Sequence, residues 1–383
     1  MPNAQQPLND PASPVDLSSE GLRARLQSLH KMTEQTPLFN PVFQLSLDIS
    51  RAIERGALPL ADVAKLVSEL ECEAMQSRAI RLHRLLAPVS PEDNVLKFRA
   101  LVEASVPGTS FADFRARWER PLLHCVFTGH PTFLLNQAQS EAIAAAACSG
   151  DASESVVCIA NPIRDPITLD SEHADVIAAM QRAGDARDRM TRTILEVAAA
   201  RWPDRWMTLV PAPYRLATWV GYDMDGRTDI GWATSIGYRL GEKAARLEQY
   251  AARLRPLVAN ACPKAKPILA RLEAGAAQAR AMQPLLADDL SDPADLSAAA
   301  NLLTAVDPAK LHSLSGVVAA LEAHAADAPL ETALSLLTIA AAMRADGLGL
   351  GWIHFRVNSA QLDNAIRPRI DPCLLYTSPS PRD

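Results

Sequence analysis

Three polar side chains with distinct chemistry each follow a short hydrophobic segment of this 383-residue sequence. His130 comes after the apolar run at 122–127, and its imidazole can exchange protons near neutral pH. Asp223 follows the segment that starts at Trp219. Arg356 follows a third apolar lead, and its guanidinium suits phosphate or carboxylate groups. Because buried strands deliver polar residues to the edge of a core, the three segments predict one polar site assembled from distant parts of the chain.

Each of these residues also has an ordinary structural explanation. His130 at a strand end can be a hydrogen-bonded structural side chain. The segment 223–227 suits a tight turn, and it is too short for a calcium loop, which spreads its oxygen ligands over about 12 residues. Arg356 cannot lose its charge, so an ion pair with Asp223 or Asp225 would satisfy it without any function.

Short apolar runs alternate with long helical patterns along the chain. The runs at 122–127, 156–160 and 350–355 are short enough for strands, whereas 171–201 has helical periodicity with Asp188 on its solvated side. This alternation predicts a barrel of parallel strands with helical elaboration. The alternative is an all-helical bundle, because periodicity alone cannot distinguish a short strand from a buried helix segment.

Composition limits the class of protein. Basic residues number 38 and acidic residues 44, and no dense basic patch indicates nucleic acid as the main partner. No apolar run approaches the roughly 20 residues that span a bilayer, and 1–19 lacks the features of a signal peptide, so we expect a cytoplasmic protein. The six cysteines form no CxxC pair, which disfavours zinc and predicts free thiols.

Taken in order, the three polar segments resemble those of the phosphoenolpyruvate carboxylase family. That family carries Thr-Ala-His-Pro-Thr-Glu, then Trp-Met-Gly-Gly-Asp-Arg-Asp-Gly-Asn, then Leu-Asp-Ile-Arg-Gln-Glu. Here the segments are Thr-Gly-His-Pro-Thr-Phe at 128–133, Trp-Val-Gly-Tyr-Asp-Met-Asp-Gly-Arg at 219–227 and Ile-His-Phe-Arg-Val-Asn at 353–358. The resemblance extends from about residue 20 to 371 in the order and type of elements, and it is specific at these three segments. It would cover less than half of a full-length family member.

The resemblance implies a fold and a reaction. The fold would be mainly α, part of a (β/α)8 TIM-like barrel with many extra helices. The reaction would join phosphoenolpyruvate to bicarbonate, through carboxyphosphate and an enolate, and would yield oxaloacetate and phosphate. A divalent cofactor, Mg²⁺ or Mn²⁺, would stabilise the enolate and phosphate oxygens. Positive groups would lie where the phosphoryl charge develops.

The resemblance also assigns roles to residues of this sequence. His130 would be catalytic at the carboxyphosphate stage. Among the substrate-binding residues, Arg356 would lie at the phosphate end of the site and Trp219 near bicarbonate. Asp223 and Asp225 match the aspartates of the second family motif and would shape the site.

Several positions depart from the family motifs. Phe133 replaces a glutamate, Tyr222 a glycine and Met224 an arginine, while residues 357–358 replace a glutamine and a glutamate. Arg227, at the family asparagine, would restore the missing positive charge and complete the predicted substrate-binding set. The departures fit either a divergent carboxylase or a non-catalytic homologue that acts as a regulatory or binding module.

The resemblance places further parts of the family site after the end of this sequence. They are the metal-binding acids, a second catalytic histidine, a glycine-rich loop and several arginines. We therefore expect no metal ligands in residues 1–383 and no carboxylase activity from these residues alone. The partners would be phosphoenolpyruvate and bicarbonate, and neither nucleic acid nor a membrane would be a partner. The full-length protein would be a homo-oligomer, namely a tetramer.

Three regions follow from this interpretation. Residues 1–20 would be a flexible leader, and 21–371 the N-terminal part of a single carboxylase-like helical and barrel domain. Residues 372–383 resemble a translated adaptor or vector scar, which would make the chain a fragment interrupted near Asp371. A natural Ser/Pro tail is the alternative.

Overall fold

The computed structural model describes residues 16–86, 90–128, 135–159, 167–224, 229–286, 290–356 and 358–367. Its helices in chain order are α1 (Ser19–Thr33), α2 (Pro41–Glu54), α3 (Leu60–Leu86), α4 (Pro91–Ala104), α5 (Phe111–Trp118), α6 (Gln137–Ser149), α7 (Glu154–Val157), α8 (Leu169–Arg201), α9 (Trp232–Asn260), α10 (Lys266–Met282), α11 (Pro293–Thr304), α12 (Ser315–Ala326), α13 (Leu330–Asp346) and α14 (Ser359–Ile366). The strands are β1 (Leu123–Phe127), β2 (Tyr214–Thr218) and β3 (Trp352–Ile353). The chain divides into unit 1, Met1–Ser90 with Leu134–Asp165, and unit 2, Pro91–Phe133 with Pro166–Asp383.

The predicted (β/α)8 barrel is wrong. The described residues are 71% helical, and they contain one open sheet of three parallel strands in the order β1-β2-β3. The runs at 122–127 and 350–355 do contain strands, but the described part of the run at 156–160 does not. Val157 is instead the last residue of α7 and is fully buried in a helical cluster. Too few strands are therefore present to close a barrel within the described chain, and helix packing supplies most of the core.

Unit 1 is built from α1, α2, α3, α6 and α7. Its buried cluster joins Met75 and Ala79 of α3 to Ile143 of α6. The helix α6 begins with a capping box at Asn136 and ends at Gly150, which has a left-handed φ of 80°. A Cβ atom at Gly150 would lie 3.0 Å from the His83 ring, so both the backbone and the close packing favour glycine there.

A disulfide bond in unit 1 contradicts the prediction that all cysteines are free thiols. Cys72 of α3 is bonded to Cys158, which follows α7, and the two residues are separated by 86 positions in sequence. The bond therefore joins helices that are distant along the chain. Cys125, Cys148 and Cys262 are free.

Unit 2 is organised around α8, α9 and α13. Apolar residues from all three helices share one buried cluster, including Ile194, Leu254 and Leu336. The 33-residue helix α8 also packs on the sheet through Met180, which contacts the same cluster as Leu216 of β2. The helix α8 thus covers one face of the sheet with its apolar side.

A group of buried charges lies where these three helices meet. Arg187 of α8 donates to both carboxylate oxygens of Asp346, at the end of α13, over 2.7 and 2.6 Å. Arg246 of α9 also donates to Asp346. Asp188, predicted on the solvated side of α8, is buried and accepts from Arg253 of α9. The prediction for Asp188 was wrong because its carboxylate lies next to the buried guanidinium of Arg187. The two opposite charges stabilise each other inside the core.

The two faces of the sheet have different surroundings. Leu216 faces the helices and packs with Met180. On the opposite face, His124 and Arg215 are paired in register and both are exposed, and Trp352 is 50% exposed. The Arg215 guanidinium lies 4.8 Å from the centre of the Trp352 ring. One face is thus covered by helices, and the other presents polar and aromatic groups to solvent.

We predict that Asp346→Asn lowers the free energy of unfolding of unit 2 by about 3–5 kcal/mol, because Arg187 and Arg246 lose their shared buried carboxylate. Urea unfolding followed by tryptophan fluorescence measures this change, since all six tryptophans lie in unit 2. Asp363→Asn is the control, because Asp363 forms an exposed ion pair with Arg367 that contributes about 0–1 kcal/mol. Equal effects of the two substitutions would contradict a central role for Asp346.

We predict that Cys72→Ser destabilises unit 1. Without the disulfide, the 86-position loop between Cys72 and Cys158 is no longer closed, so the unfolded chain has more conformational freedom. The chain-entropy argument gives about 4–5 kcal/mol for a loop of this length. Hydrogen exchange with mass spectrometry should show faster exchange in α3 and α6, while Cys148→Ser, which removes an exposed free thiol, should leave exchange unchanged. Unchanged exchange in Cys72→Ser would show that the bond does not stabilise unit 1.

Candidate functional site

The carboxyl ends of β1, β2 and β3 lie side by side at one edge of the sheet. All three strands are parallel and β2 is central, so the segments that follow them start next to one another. The backbone N–H of His354 donates to the Thr218 carbonyl over 2.9 Å and continues the pairing beyond β3. The candidate site is this strand-end edge, formed by Thr128, residues 219–224 and residues 354–356.

Arg356 and Asp223 are held together at the strand-end edge by backbone and side-chain contacts. The Arg356 N–H donates to the Tyr222 carbonyl over 3.3 Å, and the Met224 N–H donates to the Arg356 carbonyl over 2.9 Å. The Arg356 guanidinium donates to Asp223 Oδ2 over 2.9 Å. The Asp223 side chain is 17% exposed and that of Arg356 55% exposed, so most of the guanidinium faces solvent while one nitrogen is anchored.

Of the four other predicted site residues, the structure describes Trp219 alone. Trp219 is partly buried against the apolar cluster around Met180 and Val220. Its predicted contact with bicarbonate stays a prediction. His130, Asp225 and Arg227 lie outside the described residues.

The motif departures are likewise only partly described. Phe133 and Val357 also lie outside the described residues. Asn358 begins α14, where its side chain accepts from the Ala360 N–H over 2.8 Å. This position therefore has a capping role in the local structure.

A buried hydrogen-bond network lies behind the turn that carries Asp223. The Tyr222 hydroxyl donates to Glu242 Oε1 over 2.6 Å, and His173 Nε2 lies 3.1 Å from the same oxygen. Arg239 donates to Glu242 Oε2 over 3.0 Å. The Glu242 side chain is 3% exposed, so the network fixes Tyr222, and with it the backbone of Asp223, from inside the protein.

The ionisation of this network follows from its contacts. Burial raises the pKa of Glu242, but the hydrogen bonds from His173 and Tyr222 and the charge of Arg239 outweigh burial and leave that pKa below its ordinary value. Burial and the neighbouring Glu242 charge raise the pKa of Tyr222 far above its ordinary value. Glu242 is thus an acceptor and Tyr222 a donor near neutral pH.

Gly221 sets the shape of the turn. Its φ is 85°, in the left-handed region, and a Cβ atom there would lie 2.5 Å from the Tyr238 ring. Its carbonyl accepts from the Ser235 hydroxyl over 2.7 Å. The Tyr238 ring in turn stacks on His173 with centres 4.0 Å apart. Only glycine meets both the backbone and the space requirements at this position.

Two histidines meet on the exposed face of the sheet. Their Nε2 atoms, in His124 of β1 and His354 after β3, are 3.1 Å apart, and the rings are stacked with centres 5.2 Å apart. Neither residue was singled out from the sequence, because neither stands in a recognisable spacing. Their contact depends on the strand order alone.

The buried network behind the edge was also missed, although α9 carries a signal for it. Tyr238, Glu242, Arg246 and Tyr250 recur at every fourth position, which places them along one face of the helix. The last three of these side chains are buried. A polar row at helical spacing within an apolar segment therefore indicated buried partners on neighbouring elements.

The described residues do not form a site for the divalent metal that the resemblance implies. They contain no group of three or more His, Cys, Asp or Glu side chains that could hold a metal ion. Asp223, the described acid at the edge, already accepts from Arg356.

Comparisons with known proteins leave the family undecided. No protein-family profile and no curated protein matches the chain. Within the described residues, no helix is both long and apolar enough to cross a membrane. The resemblance therefore depends on the three motif segments alone.

We predict that Glu242→Gln lowers the stability of unit 2 at pH 7 by on the order of 2 kcal/mol, because hydrogen bonds to a charged acceptor are lost. A pKa below the ordinary 4.5 means that the stabilisation is present above pH 4.5 and is lost as pH falls through the folded-state pKa. The stability difference between wild type and variant should therefore shrink on acidification below pH 4.5. Urea unfolding by tryptophan fluorescence at several pH values measures it.

The matched control is Glu248→Gln on the same helix, since Glu248 forms a half-exposed ion pair with Arg280. Its effect should be small at every pH. A difference between wild type and Glu242→Gln that does not change with pH would show that the Glu242 charge does not support the turn.

Proposed function

We propose that the strand-end edge of unit 2 binds phosphoenolpyruvate and serves its carboxylation with bicarbonate to oxaloacetate and phosphate. The observation that supports this proposal is that the described parts of the three motif segments, Thr128, residues 219–224 and residues 353–356, lie at adjacent ends of parallel strands. The exposed guanidinium of Arg356 lies at that edge, anchored by Asp223. Ligands of open parallel sheets bind outside the carboxyl ends of the strands, where loops from neighbouring strands converge.

The chemistry of Arg356 supports phosphate recognition. A guanidinium has five N–H donors in a planar fork, and the contact with Asp223 uses one nitrogen. The remaining donors are directed by that anchor and can meet phosphate oxygens without a large loss of side-chain freedom. Asp223 would thus be a positioning residue, and Arg356 the group that touches the substrate.

The reaction assigned to this edge transfers the phosphoryl group of phosphoenolpyruvate to a bicarbonate oxygen. The enol C–O–P linkage breaks at the phosphorus–oxygen bond and leaves an enolate, and carboxyphosphate then yields phosphate and carbon dioxide. The enolate carbon attacks carbon dioxide to form oxaloacetate. His130 is the proposed catalytic residue at the carboxyphosphate stage, and the described chain reaches Thr128, two positions before it.

The proposal includes the other expectations from the sequence. Mg²⁺ or Mn²⁺ would supply charge stabilisation from ligands outside the described residues. The location would be cytoplasmic, and the full-length protein would be a homo-oligomer. Binding at the strand-end edge requires the three parallel strands and the segments that follow them. It does not require a closed barrel, which the structure contradicts.

A second candidate function is a non-catalytic regulatory or binding module. The observation in its favour is Tyr222, which stands where the family has glycine. Its ring is buried and its hydroxyl is committed to Glu242. A rigid turn of this kind suits ligand binding, while Phe133 and Met224 replace a glutamate and an arginine of the family motifs.

We predict that the 383-residue chain binds phosphoenolpyruvate in a saturable manner and that Arg356→Gln weakens this binding at least tenfold, because the phosphate loses its cationic partner. Isothermal titration calorimetry measures both affinities. Arg344→Gln is the control, since Arg344 is an exposed arginine paired with Glu322 over 2.7 Å and lies away from the edge. Circular dichroism checks that each variant is folded.

The outcomes separate the proposals. Binding that Arg356→Gln weakens and Arg344→Gln does not supports the phosphate-binding edge. Equal binding by both variants, or no saturable binding by wild type, contradicts it. Phosphate release in the presence of bicarbonate by wild type would in addition overturn the expectation that these residues alone are inactive.

A further inference from the structure

A cavity in unit 2 lies on the side of β3 away from Asp223 and Arg356. Its volume is about 570 Å³, within the usual range of about 300–1,000 Å³ for small-molecule pockets. Ile353 and Phe355 line it, whereas the intervening His354 contacts His124. Side chains alternate along an extended segment, so Ile353 and Phe355 face the cavity, whereas His354 and Arg356 lie on the other side of the segment.

The wall of the cavity is largely apolar. Its apolar lining includes Leu240 of α9, Leu311, Leu348, Ile353 and Phe355. Tyr222 and Ser235 also line it, but their hydroxyls already donate, to Glu242 and to the Gly221 carbonyl. The body of an occupant would therefore be hydrocarbon or aromatic.

The charged groups of the cavity are positive. They are Arg239 and Lys243, and the described lining contains no carboxylate. Arg239 is already paired with Glu242. The described residues offer Lys243 no hydrogen bond or ion pair, although its side chain is partly buried on α9. A partly buried ammonium without a counter-ion is unfavourable unless an anion joins it.

The surroundings of Lys243 add to this positive potential. Burial lowers the pKa of Lys243, and the charges of Lys310 and Arg239 lower it further. Lys310 is itself held by backbone carbonyls near the end of α11, including that of Leu302 at 2.7 Å. A bound anion would therefore relieve repulsion among three cations, and Lys243 would provide the direct contact.

We propose that this cavity binds a small organic monocarboxylate with an apolar body, its carboxylate on Lys243 and its body against the wall formed by α9 and β3. One uncommitted ammonium suits one carboxylate better than a doubly charged phosphate, which would need more donors than the cavity offers. The cavity shares Tyr222 and Phe355 with the proposed phosphoenolpyruvate edge, but neither Asp223 nor Arg356 lines it, so the two proposed ligands would have different charged partners.

The test uses two pairs of probes that differ in charge at nearly constant shape. They are 4-phenylbutyrate with 4-phenylbutyramide, and cyclohexylacetate with cyclohexylacetamide. Titration calorimetry on the 383-residue chain should show saturable binding of at least one acid, at least tenfold tighter than its amide. Acid and amide bound with equal affinity, or no saturation by either acid at millimolar concentration, would overturn the proposal.

Two variants locate the binding. Lys243→Gln should weaken binding of the acid at least tenfold and should remove the preference over the amide. Lys264→Gln, which changes an exposed lysine next to α10, should change neither. An unchanged preference in Lys243→Gln would overturn the assignment of the carboxylate contact.

Two further variants test whether the acid binds in the cavity and not at the strand-end edge, and circular dichroism checks that they are folded. Leu240→Trp should block the cavity and abolish binding of the acid while circular dichroism stays unchanged. Arg356→Gln should leave binding of the acid unchanged, whatever its effect on phosphoenolpyruvate. Loss of acid binding in a folded Arg356→Gln protein would place the carboxylate at the edge and overturn the proposal of a separate cavity site.

Discussion

The shared carboxylate of Asp346 is the interaction on which unit 2 depends. It ends α13 and accepts from Arg187 of α8 and Arg246 of α9, so one buried group fixes three helices at a single point. The segment that follows it leads directly to β3, and the Gly347 carbonyl accepts from Tyr250 of α9. Because buried charges tolerate few geometries, this cluster limits where β3 can start.

A second buried carboxylate, that of Glu242, also joins separate elements of unit 2, and it contacts the turn that follows β2. Glu242 binds Tyr222 and Arg239 and lies next to His173, so α8 and α9 together hold the turn after β2. The exposed Arg356 therefore lies on a backbone whose conformation is set by groups that solvent does not reach. Anchoring of this kind lowers the cost of ordering a long side chain when a ligand binds. The same turn also forms part of the wall of the positive cavity, so the two proposed ligands would share a rigid segment.

Much of the local structure was predictable, and the errors have specific causes. The helix at 171–201 was predicted because its period is clear over a long segment, and the short run at 122–127 contains a strand as predicted. The run at 156–160 was assigned to a strand, but its first two residues belong to α7, since short apolar runs carry no period. Asp188 was placed in solvent because a charged residue on an amphipathic helix usually is, and its partner Arg253 lies 65 positions away in sequence.

The sequence by itself determined which side chains follow apolar strands, and it indicated that Arg356 needs an anionic partner such as Asp223. Residue type and local spacing carry this information, because an unpaired guanidinium is costly near a core. Only the tertiary structure decided that three strands form an open sheet, that His124 meets His354 and that Lys243 faces a cavity. These contacts join residues that are far apart in sequence, and their geometry depends on how the helices pack. No local pattern of residues encodes that packing.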